Sequence, residues 1–98
     1  MNNELRRSNN IAKALKVARV AKGLSQEDFG LVLSRTYVSS LERGIKSPTL
    51  SKLDALAGHL KVHPLTLLTM AYLNDASIDS PADLLEVIRS EIDAIRHN

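Results

Sequence analysis

The chain has no cysteine and no tryptophan, and only one phenylalanine and two tyrosines among 98 residues. Without cysteine there is no disulfide framework, no thiol nucleophile and no thiolate zinc site. With so few aromatics, any core must be built from Leu, Val, Ile and Ala. No apolar run approaches the roughly 18 to 20 residues of a membrane span. The opening MNNELRRSNN carries charge but no apolar stretch, so no secretory signal is expected there and the chain reads as cytoplasmic. Also missing are a Gly-rich phosphate loop and any grouping of nucleophile, base and oxyanion donor, so the chain does not read as an enzyme. His59 and His63 have the spacing of a helical metal pair. The helix is expected to end between them, however, and no third ligand follows. His63 ahead of Pro64 reads better as a helix cap, and neither metal nor cofactor is expected.

What is present is a split in charge. The formal net charge of +2 averages two unlike parts. Met1 to His63 holds eleven basic and five acidic residues, a net +6; Pro64 to Asn98 holds two basic and six acidic, a net −4. The first part suits a polyanion and the second does not. At this length one domain is expected, or one domain with a tail.

Helical periodicity runs through the chain, and no segment reads as a strand. Residues 1–9 are polar and read as an arm. Between Asn10 and Gly23, the apolar residues Ile11, Ala14, Leu15, Ala18 and Ala21 mark one buried stripe, and Gly23 is a natural stop. From Leu24 a short helix of about two turns is expected, capped by Ser25 with Asp28 in the capping-box position. Ser34 caps the next helix and Gly44 ends it. That helix turns Val38 and Leu41 inward and leaves Arg35, Thr36, Ser39 and Ser40 on a small, hydrogen-bonding outer face. An ordinary solvated face prefers Glu and Lys, which are better helix formers. Thr49 caps a fourth helix with Leu50, Leu53, Leu56, Ala57 and Leu60 expected inside. Pro64 opens a fifth, apolar on more than one side: either Leu65, Leu68 and Tyr72 or Leu67, Met70 and Ala71 would face inward. After a loop over 74–79, Ser80 caps a last helix in which Leu85, Ile88, Ile92 and Ile95 form a seam of coiled-coil type.

Two short helices joined by a tight turn, the second with a small polar face, make a helix-turn-helix. The run Gly23-Leu24-Ser25-Gln26-Glu27-Asp28-Phe29, then Ser34-Arg35-Thr36-Tyr37-Val38-Ser39-Ser40-Leu41-Glu42-Arg43-Gly44, then Lys46-Ser47-Pro48-Thr49-Leu50 resembles the Xre/Cro-type DNA-binding family of phage repressors and bacterial regulators. The likeness spans about residues 10–73, although the stretch between Gln26 and Ser34 is shorter than the family pattern. It implies an all-α fold: a five-helix repressor-like domain over 10–73, with an additional C-terminal amphipathic helix in the segment 74–98. It also implies a bacterial or phage origin.

The resemblance further implies that the recognition helix enters the major groove N-terminal end first. Arg35, Thr36, Ser39 and Ser40 would then read base edges. Gln26, Tyr37, Arg43 and Lys46 would hold the DNA backbone, with Tyr37 equally readable as a half-buried core residue. For Lys13, Lys16, Lys52 and Lys61 a solvated face is the expectation. Arg19 and Glu42 are expected to pair and tie the first helix to the recognition helix. The partners implied are double-stranded DNA and a second copy of the chain, with a dimer of dimers as the larger assembly. Leu65, Leu68, Tyr72, Leu85, Ile88, Ile92 and Ile95 would form the contact. No membrane and no small-molecule effector is suggested. A rival reading is an antitoxin or other interaction module whose last helix binds a partner protein.

Overall fold

The structure, a computed structural model, describes residues 9–30, 33–73 and 80–97. The arm expected over residues 1–9, apart from Asn9, and the loop over 74–79 lie outside the described residues. The described residues form five α-helices and one 3₁₀ turn: α1 (Ile11–Ala21), the turn Gln26–Phe29, α2 (Arg35–Glu42), α3 (Leu50–Leu60), α4 (Pro64–Tyr72) and α5 (Pro81–Arg96). There is no strand among the described residues. None of the helices is long and apolar enough to cross a membrane.

Short polar side chains start each helix. The side chains of Asn10, Ser34, Thr49 and Ser80 accept the backbone N–H three residues on, satisfying a donor that the helix leaves orphaned. His63 caps α4 through Nδ1, which accepts Leu65 N–H at 3.0 Å, and Pro64 follows where a missing N–H costs nothing. Gly23 and Gly44 end α1 and α2 at φ +71° and +75°, a left-handed backbone that side chains strain to adopt.

The segment after Gly23 departs from the two-turn helix expected there. Ser25 and Asp28 do form a full capping box: Asp28 N–H donates to Ser25 Oγ at 3.3 Å and Ser25 N–H to Asp28 Oδ2 at 2.6 Å. The helical residues described there are Gln26–Phe29. Gly30 N–H closes a tight turn onto Glu27 O at 2.9 Å, and the chain leaves as a single 3₁₀ turn.

The core is one cluster: Leu15 of α1, Phe29 of the 3₁₀ turn, Leu33, Val38 and Leu41 of α2, Leu53, Leu56, Ala57 and Leu60 of α3, and Leu67 of α4. Each fully buried Leu or Phe contributes about 1.5 to 3 kcal/mol. Phe29, the only phenylalanine, is fully buried and tilted against the His59 ring, centroids 4.7 Å apart. His59 and His63 thus serve packing and capping. In α4 it is Leu67 and Ala71 that turn inward, and Asn10 N–H donates to Ala71 O at 2.8 Å to tie the start of α1 to α4.

Two expected core positions lie outside. Leu50 is 76% exposed. It is the first residue of α3, where a side chain leans back toward the helix start and past the core edge. Ala21, at the last turn of α1, is exposed as well, beyond the reach of its neighbours. The last helix, α5, meets the rest of the molecule through α4 and buries none of its residues.

Candidate nucleic-acid interface

The hub behind the interface is a carboxylate with three donors. Arg19 reaches from α1 to Glu42 at the end of α2, with Nε 2.6 Å from Oε2 and Nη2 3.0 Å from Oε1. The third nitrogen, Nη1, donates to Leu24 O at 2.8 Å. Gln26 Nε2 donates to the same Oε1 at 3.0 Å. One bidentate pair thereby locks α1, the 3₁₀ turn and α2 together. Glu42 is 4% exposed and Arg19 13%. Burial pushes the Glu42 carboxyl up, but the hydrogen bonds from Arg19 and Gln26 outweigh it and hold the group below the ordinary carboxylate range. The hydrogen bond to Glu42 raises Arg19 in turn. A charged carboxylate behind a surface meant for phosphate would repel it; here the charge is neutralised and covered.

In front of this hub stands the outer face of α2. Arg35 and Thr36 in its first turn are exposed, and Ser39 one turn on is half-buried. Arg35 lies 3.7 Å from Glu27, a pair in which both partners are largely exposed. Such a pair is worth little, so it yields readily to a better acceptor. Ser40 does not belong with these residues. It is only 8% exposed, because the chain turns at Gly44 and folds back over it: Ile45 and Lys46 N–H donate to Ser40 O at 3.0 and 3.3 Å. Expected as a base reader, Ser40 is instead covered by the returning chain.

Around α2 the chain gathers cations. Arg43 and Lys46 are exposed just past its end. The Lys46 ammonium lies 5.7 Å from the Tyr37 ring centroid, and so does that of Lys52 from the first turn of α3. Lys52 was expected on a merely solvated face. Its position three residues after the Thr49 cap was visible in the sequence, but its neighbour Tyr37, fifteen positions away, was not. Gln26 was expected to hold phosphate; its side chain gives one amide hydrogen to Glu42 and keeps the other.

The proposed contact residues of the C-terminal third are less uniform. Leu65 is 60% exposed, whereas Leu68 packs against the core from the side and Tyr72 is half-buried. Leu85, Ile88, Ile92 and Ile95 are all exposed. Between α4 and α5 runs a groove of about 470 Å³, lined by His63, Leu65, Thr69, Met70 and Leu85 among others. No group of acidic or histidine side chains among the described residues is arranged to hold a metal ion.

A capped tight turn, a short helix with a small polar face and a ring of cations define a DNA-binding helix-turn-helix. The helix-turn-helix family model matches residues 15–67, more than half of the chain. The chain belongs to that family, the Xre/Cro-like helix-turn-helix proteins of phage-repressor-like regulators. The searches of curated proteins and of solved structures returned no match.

Proposed function

We infer that this DNA-binding regulator reads a specific, palindromic operator as a homodimer, through α2 in the major groove. The observation that carries the reading is the contrast across α2: a neutralised, buried anchor behind it and an exposed, cation-flanked face in front. Arg35 and Thr36 lead into the groove, with Ser39 behind them. Arg35 can fork onto guanine O6 and N7, and Thr36 can offer a methyl or a hydroxyl. Arg43, Lys46 and Lys52 bear on phosphates, Tyr37 adds its phenol, and Gln26 offers its remaining amide hydrogen; these contacts fix register. One copy reads too few base pairs for a genome, so two copies on two half-sites are needed. The exposed apolar face of α5 supports self-association, and the net negative charge of the last third suits a surface that does not meet phosphate.

Selection of bound sequences from random duplexes tests this directly. A two-fold symmetric motif with half-sites about one helical turn apart is expected. Arg35→Ala should then cost about 1 to 3 kcal/mol on the selected site and relax one position of the motif. Equal losses on selected and random duplexes would remove Arg35 from the reading set.

A further inference from the structure

The exposed seam of α5 carries information about its occupant in the charges beside it. Taking Leu85 and Ile92 as a positions and Ile88 and Ile95 as d positions puts Leu84 and Glu91 at g, and Arg89 and Arg96 at e. The seam is thus flanked by an acid on one side and two arginines on the other. Arg89 is already engaged along its own helix, by Glu86 and by Asp93. Glu91 and Arg96 form no ion pair within the described residues, although each sits beside exposed leucine and isoleucine.

We propose that α5 pairs with α5 of a second copy in parallel and in register, Glu91 of each copy meeting Arg96 of the other. In a parallel two-stranded coil a g residue faces the e′ residue five positions on, and 91 and 96 stand in that relation. The two-fold axis repeats the pair, so both free acids and both free arginines are satisfied. The antiparallel alternative layers 85 on 95′ and 88 on 92′. It brings Glu91 beside Glu91′ on one side and Arg89 beside Arg89′ on the other, and leaves Arg96 without an acid. The hydrophobic seam accepts either orientation; the flanking charges select the parallel one.

The arrangement rests on the dimer reading above and specifies its geometry. Sixteen residues at 1.5 Å each give a paired rod of about 24 Å. A rod with both N-termini at one end holds both reading heads at that end, on one two-fold axis. A two-heptad coil is weak alone, so the pairing is expected at high protein concentration or where DNA holds the two copies together.

Because the chain has no cysteine, a single introduced one reports only on itself. In the full-length protein, Ile95→Cys under mild oxidation should give a disulfide-linked dimer, while a mixture of Leu85→Cys and Ile95→Cys chains should give little 85–95′ product. The reverse pattern overturns the parallel orientation. Sedimentation equilibrium provides the second arm. Glu91→Arg turns both pairs repulsive and should weaken self-association about tenfold, and adding Arg96→Glu should restore it. Failure of the double exchange to restore it overturns the Glu91–Arg96′ contact. A chain that stays monomeric throughout, with no crosslink from Ile95→Cys, overturns pairing through α5. The DNA reading is judged apart from this, by whether selection from random duplexes still enriches a motif. Since no residue of α5 is fully buried within the chain, none of these variants is expected to unfold the head, which circular dichroism checks.

Discussion

The head formed by α1 to α4 and the C-terminal helix α5 are both rich in aliphatic side chains, yet they use them in opposite ways. In the head, leucines from four helices converge with Phe29 on one cluster. In α5, Leu85, Ile88, Ile92 and Ile95 are between 37% and 72% exposed. The head is held by side chains far apart in sequence, such as Arg19 and Glu42. The helix α5 is held by its Ser80 cap and by pairs three and four residues apart. The difference teaches where each part draws its stability: the head from its own tertiary contacts, α5 from local contacts along its own length and from its contact with α4.

The sharpest way to break this contrast is to empty the head. Phe29→Ala removes its only phenylalanine from a fully buried site and should cost about 4 kcal/mol in urea unfolding. Glu42→Ala comes next, at about 3 kcal/mol, because it leaves Arg19 without its carboxylate partner in a largely buried position. Acid should act in the same direction. The Glu42 carboxyl is held below its ordinary range in the folded chain, so its contribution is present above that range and is lost as pH falls from there through the lowered folded-state value. Glu42→Gln should flatten the acid side of the stability curve. Smaller still, Arg43→Ala should weaken all duplexes by a similar amount and lower the salt slope of binding by about one. The smallest effect is expected in α5: Ile88→Ala, measured at high dilution, should change unfolding free energy by less than about 0.5 kcal/mol. A loss there comparable to that of Phe29→Ala would mean that α5 belongs to the core after all.

Much of the fold was legible because it is written locally. A cap, an apolar stripe and a glycine or proline stop define a helix within about a dozen residues, and Ser34 to Gly44 shows all the signs. The Arg19–Glu42 pair was legible for another reason: family resemblance supplied the long-range contact that spacing does not. What escaped was what the returning chain decides. Ser40 lies on the polar side of α2 by periodicity, but the backbone after Gly44 covers it. Leu50 has the right residue type for the stripe and the wrong place at a helix end. Lys52 acquires its neighbour Tyr37 only when α3 is laid beside α2. Such outcomes depend on elements meeting in space, and one-dimensional periodicity holds no record of them.

The position of Tyr37 has a practical side. The chain has no tryptophan, so Tyr37 and Tyr72 are its only appreciable near-ultraviolet emitters. Tyr37 lies on α2, with two ammonium groups near its ring; Tyr72 lies on α4. Unlabelled protein therefore carries its own optical reporter. Phosphates drawing Lys46 and Lys52 aside would alter the Tyr37 signal, and a Tyr72→Phe chain would isolate it. Titration with duplex would then follow binding by light, with no dye attached to either molecule.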